Sequence, residues 1–172
     1  MTIRSTQGAS RILFLAALCM GFSGLVAAQL FSSQENWVES VAPPPPAFDT
    51  AKLVPIVMPR YMTLEFGVDP STIVVTPDGV VRYVVVARNP SGGTTNAFYE
   101  GVRCATAEVK VYARSNGQEW EKATDPQWKP LRFQNSSYSR RLAAQGLCGG
   151  AAPRGSVGEM MRELRQPVRE VE

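Results

Sequence analysis

Four acidic residues stand where the chain could do chemistry: Glu65, Asp69, Glu100 and Glu108, all on or beside segments with strand-like composition. Two carboxyls about 5 to 10 Å apart, one of them with a raised pKa, are the equipment of a glycoside hydrolase. Spacing along the chain does not set that distance, and charges at solvent-facing strand positions are the plainer account of all four. Arg82, Arg88 and Arg103 lie in the same extended stretch. An arginine among apolar strand neighbours is usually paired across the sheet, so Arg82, Glu100 and Arg103 form a candidate polar cluster, either a structural ion pair or a small-anion site.

Other chemistries are poorly served. The chain has no histidine, which removes Ser-His-Asp and Cys-His catalysis, histidine-containing zinc sites and c-type haem attachment. Ser91-Gly92-Gly93 lacks the Gly-x-x-x-x-Gly-Lys pattern of a phosphate cradle and reads as a turn. Tyr138, Arg140, Arg141, Arg162, Arg165 and Arg169 suggest a basic surface, but Glu159, Glu163, Glu170 and Glu172 cancel the field of the last three, which points to a solvated helix face. No catalytic, cofactor-binding or metal-binding residue is assigned.

The elements that must position these residues begin with an export signal. Met1 to Arg11 is polar and cationic, Ile12 to Val26 is apolar but broken by Gly21, Ser23 and Gly24, and small residues precede Gln29. That order is a secretory leader cleaved between Ala28 and Gln29, and its apolar run is short for a bilayer span. Cys19 follows Leu18 rather than a small residue, which argues against lipidation. Losing Arg4 and Arg11 with the leader takes the formal charge from +3 to +1, so the mature surface gives no electrostatic reason for a nucleic-acid partner. Cys104 and Cys148 are then the remaining cysteines; in an oxidising compartment such a pair forms a disulfide, and it lacks the Cys-x-x-Cys spacing of a redox-active site.

Pro43 to Pro46 favours polyproline II, so the stretch before Pro59 reads as a linker or a strap lying on the domain, with Trp37 able to anchor it. Met62 to Val68 alternates like a half-buried strand, Thr76-Pro77-Asp78-Gly79 is a hairpin turn, and Val80 to Arg88 is apolar on both faces, as a central strand is. Phe98 to Ala113 reads as one long extended stretch whose apolar parity shifts, with a β-bulge or bend near Ala105 and Thr106. Ser115-Asn116-Gly117 is another turn, leading to short extended segments with Trp120, Trp128, Leu131 and Phe133. Tyr138 to Leu147 has helical spacing with Ser136 or Ser137 as cap, and Ser156-x-x-Glu159 is a capping box for a helix running to about Leu164. The expected fold is α+β: an antiparallel sheet of hairpins followed by short C-terminal helices, with one disulfide.

Leu64-Glu65-Phe66-Gly67-Val68-Asp69-Pro70, Asp78-Gly79-Val80-Val81-Arg82-Tyr83 and Tyr99-Glu100-Gly101-Val102-Arg103-Cys104 resemble the CNP-one-like family of exported proteobacterial proteins. The resemblance implies export and a fold, and it supplies no catalytic residues. The expected organisation is a signal peptide over 1–28, a proline-rich linker or strap over 29–58, a β-rich domain over 59–166 and a tail over 167–172. The expected role is a non-enzymatic binding or assembly module in the periplasm or cell envelope, without a cofactor. Its partner would be an unknown envelope component, with no transmembrane span after processing. The alternative is a carboxylate-dependent glycan hydrolase of the envelope. N-terminal sequencing of protein recovered from its native envelope should find Gln29, or its cyclised form, first; a chain starting at Met1 or at a lipidated Cys19 would refute the leader.

Overall fold

The computed structural model describes residues 36–93, 95–133 and 138–167. The leader with Cys19 and its Ala28-Gln29 cleavage site, the Ser136 or Ser137 cap and the tail beyond Pro167 lie outside the described residues.

The described domain, from Glu39 onward, is built on one antiparallel sheet. Its strands are β1 (Val54–Ile56), β2 (Glu65–Val68), β3 (Val74–Val75), β4 (Val80–Arg88), β5 (Asn96–Arg103), β6 (Glu108–Ser115), β7 (Glu121–Lys122) and β8 (Lys129–Pro130). The order across the sheet is β1-β2-β4-β5-β6-β7; β3 lies beside β2 along the same edge of β4, and β8 beside β7 along β6. β4 is the spine. All but the last of its residues are buried, as an apolar strand covered on both faces requires. Gly79 makes the β3–β4 turn at φ +80°, donating its N–H to the Thr76 carbonyl at 2.9 Å.

One face of the sheet carries Phe66, Val81, Tyr83, Val85 and Val102, and the C-terminal segments pack against it. These are α1 (Tyr138–Arg141), a π-helical turn (Leu142–Leu147), a small ribbon of β9 (Cys148–Gly149) and β10 (Ala152–Pro153), and α2 (Val157–Leu164). α2 buries Met160, Met161 and Leu164 on one side. Ser156 Oγ accepts the Glu159 N–H at 3.1 Å as expected of a cap, while the Glu159 carboxylate reaches back to the Gly155 N–H at 3.2 Å.

The extended stretch expected over Phe98–Ala113 is two strands. β5 and β6 form a hairpin turned at Cys104 to Ala107, where Ala107 takes φ +53° and its N–H meets the Cys104 carbonyl at 3.4 Å. A bulge lies further along the hairpin: Tyr99 faces Ala113 whereas Glu100 faces Val111, so Tyr112 is the extra residue. The break expected near Ala105 and Thr106 is itself a full chain reversal; Cys-Ala-Thr-Ala contains neither glycine nor proline, so the parity shift is its trace in the sequence. β1 also lies inside the stretch read as strap, since a three-residue Val-Pro-Ile strand carries no periodic signal.

Cys104, at the start of that turn, is bonded to Cys148 at the end of the π-helical turn, with a Cα–Cα distance of 5.6 Å. The bond ties the central hairpin to the helical layer. Closing a span of 44 residues stabilises by about 4 kcal/mol in the chain-entropy account. Cys148→Ser should therefore lower the melting temperature and speed proteolysis of residues beyond the sheet; unchanged melting under reducing and oxidising conditions would contradict it.

Candidate functional site

Three places in the domain gather polar or apolar groups in a way that asks for a function. The first is inside the core. Tyr83 and Glu100 face each other across β4 and β5, on the side of the sheet that carries the helices. Tyr83 Oη donates to Glu100 Oε2 at 2.9 Å, and Tyr138 Oη, from α1, donates to Oε1 at 2.5 Å. Glu100 is 1% exposed. Burial pushes its pKa up to about 7, and the two phenol hydrogen bonds and the charge of Arg114 on β6 moderate the rise. Both tyrosines are shifted above the ordinary phenol range, by burial first and then by the carboxylate they face. Tyr138 in turn stacks on Phe66 with ring centroids 4.5 Å apart.

The second place is the opposite face, over which the segment from Glu39 to Leu53 is laid. Glu39 accepts from Lys110 Nζ at 2.8 Å, Tyr112 Oη at 2.7 Å and Trp128 Nε1 at 3.0 Å. Burial opposes its charge, but those three donors outweigh it and hold the carboxyl below its ordinary value. Ser40 gives its N–H to Asp78 at 2.7 Å, and the Arg82 guanidinium donates to the Ser40 carbonyl and to the Val41 carbonyl at 3.2 Å. Further along, Ala42, Phe48 and Leu53 pack on Val84, Val86, Ala97, Tyr99 and Ala113, with Phe48 edge-on to Trp120. The proline run thus borders Tyr99 and Tyr112 of its own chain. Gly101 makes this possible: a Cβ there would stand 2.7 Å from Tyr112 Oη.

The third place is a groove of about 350 Å³ at the β1–β2 edge. Ile56, Met58, Met62, Leu64 and Phe66 supply its apolar lining, and Arg60, Glu65 and Arg88 also border it. Glu65 and Arg88 are paired at 3.0 Å, both about half exposed. Leu64, which lines it, is 37% exposed, and Val57 (49%) and Tyr61 (80%) are exposed on the same loop.

The sequence-selected residues fall as follows. Arg82 and Arg103 share the strap-bearing face, in diagonal register across β4 and β5, whereas Glu100 points into the helical side. Arg103 meets Glu108 at 3.4 Å and lies 5.7 Å from the Trp128 ring centroid. Asp69 caps the 3₁₀ turn Pro70–Thr72, accepting from the Ser71 N–H at 2.9 Å and from the Asp49 N–H at 2.8 Å. Hydrogen bonds hold its carboxyl below the ordinary range against the effect of burial. Glu39 is the functional-looking residue that pattern reading missed, because its three partners lie 71 to 89 residues away and nothing local announces them. Among the described residues, no group of three or more His, Cys, Asp or Glu side chains could hold a metal ion, and no helix is long and apolar enough to cross a membrane.

Stability should depend on pH through Glu100. Its folded pKa of about 7 lies above the ordinary 4.5, so its stabilising contribution is complete below pH 4.5 and is lost as the pH rises through 7. The loss amounts to about 3 kcal/mol across that window. Denaturant unfolding at a series of pH values should show the decline, and Glu100→Gln should flatten it; an equally steep decline in the variant would exclude Glu100 as its source.

The CNP1-like family model matches residues 32–165, and the chain belongs to that family. No curated protein and no solved structure matches it.

Proposed function

We propose that this member of the CNP1-like family is an exported, non-enzymatic envelope module that works by binding, and that the groove beside β1 and β2 is its binding surface. The observation that carries the reading is the groove itself: an apolar concavity lined by Ile56, Met58, Met62, Phe66 and the exposed Leu64, on a loop that also exposes Val57 and Tyr61. Export is supported by the charged, apolar and small-residue order of the first 28 residues and by a disulfide of the kind that persists in oxidising compartments.

The carboxylates support binding over hydrolysis. Asp69 caps a turn, Glu65 pairs with Arg88, and Glu108 pairs with Arg103 and accepts from Thr106 Oγ1 at 2.6 Å. Glu100 has the raised pKa that a general acid needs, yet both its oxygens are taken by tyrosine hydroxyls inside the core. A glycan-cleaving acid must reach the scissile oxygen, and a side chain 1% exposed offers no such access.

A photoreactive phenylalanine analogue at Tyr61 should capture a discrete envelope component in intact cells, and the same analogue at Glu119, beyond β6 at the far side of the sheet, should not. Equal capture at both positions, or at neither, counts against the groove. Glycan turnover by purified protein that vanishes in Glu100→Gln with the fold intact would replace binding by hydrolysis.

A further inference from the structure

We infer that the groove takes the alkyl chain of a long-chain carboxylate, with Arg60 and Arg88 receiving the head group. This rests on the binding reading above and names the ligand class.

The lining argues for a chain. Ile56, Met58, Met62, Leu64 and Phe66 present aliphatic, thioether and aromatic surface, and methionine side chains adapt to a flexible hydrocarbon without a fixed shape demand. At about 350 Å³ the groove sits near the low end of small-ligand sites, suited to one chain rather than the paired chains of a bilayer lipid. The edge argues against a peptide strand. Pro55 is the central residue of the three in edge strand β1 and has no N–H, so strand addition there would lack a ladder donor.

The rim argues for an anion. Arg60 is exposed and has no ion pair among the described residues, and Arg88 is shared with Glu65 alone in a half-exposed pair of little net strength. Two guanidiniums against one carboxylate leave the lining net positive, and guanidinium forks match a carboxylate in bidentate geometry.

Calorimetry on the purified protein with dodecanoate, dodecanol and dodecyltrimethylammonium, each below its micellar concentration, separates chain from head. Dodecanoate should bind at least about tenfold more tightly than dodecyltrimethylammonium, a difference of about 1.4 kcal/mol. Arg60→Glu combined with Arg88→Glu should abolish or reverse that preference, and Met62→Trp should weaken all three by filling the groove. Both arginines are exposed, so the charge variant should keep its fold, which a thermal melt checks. If Met62→Trp does not fold, Leu64→Trp at the half-open rim replaces it. Absence of dodecanoate binding overturns the inference, as does binding indifferent to head charge or unchanged in the charge-reversed protein. Capture at Tyr61 of a protein partner, with no dodecanoate binding, removes the ligand class and leaves the binding surface; failure of both removes the two together.

Discussion

A central strand that is apolar on both faces cannot be stable until both faces are covered, and that constraint governs this domain. β4 places Val81, Tyr83 and Val85 on one side and Val84 and Val86 on the other. The first side is covered by the α1, π-helical and α2 layer that follows the sheet in sequence; the second is covered by the segment from Glu39 to Leu53 that precedes it. Burying a valine or leucine side chain contributes about 1.5 to 3 kcal/mol, so either cover on its own would leave several such contributions unclaimed. The strap is therefore a structural layer, and its proline run suits the task because polyproline II needs no ladder partner of its own.

Each cover is fastened by polar groups that are expensive to bury unpaired. On the strap side, Glu39 converges with Lys110, Tyr112 and Trp128, and Arg82 takes two strap carbonyls. On the helical side, Glu100 is gripped by one tyrosine from the sheet and one from α1. The two fastenings differ in kind. The strap acid meets a cation and stays ionised, while the core acid meets neutral phenols and holds its proton into the neutral range. Through Tyr138 and its stack on Phe66, the core acid also braces a wall of the groove.

How much of this was legible in the sequence depends on whether the signal is local. The Thr76-Pro77-Asp78-Gly79 turn, the two-faced β4 and the Ser156 cap rest on neighbours within a few residues, and the structure has them where the pattern puts them. The β5–β6 turn lacked a turn residue, and β1 was too short to show a period. The candidate cluster of Arg82, Glu100 and Arg103 shows the limit for sites. Strand parity alone separates residues 82 and 100 onto opposite faces once their register is known, but register is a long-range fact, and the bulge at Tyr112 alters it again on β6. The motif Tyr99 to Cys104 was conspicuous, and its meaning was not: Tyr99 supports the strap, Glu100 the core, Gly101 the Tyr112 ring and Cys104 the disulfide.

The position of the groove follows from the same constraint that opened this domain's design. Two covers drawn from segments before and after the sheet must meet somewhere at its rim. Leu53 belongs to the strap side and Phe66 to the helical side, and both line the groove, as do Val86 from the one face and Ile56 from the other. Gly67 lies between them, and a Cβ there would stand 2.9 Å from Leu53 Cβ, so the crossing of strap into β1 is already as tight as the backbone allows. The loop from Val57 to Leu64 spans the remaining gap with half-buried methionines and exposed Tyr61 rather than with a packed element. An open apolar seam of this kind carries a cost in exposed surface that a sheet with a longer β1 would avoid, and that cost is the physical reason to place binding there rather than on either closed face.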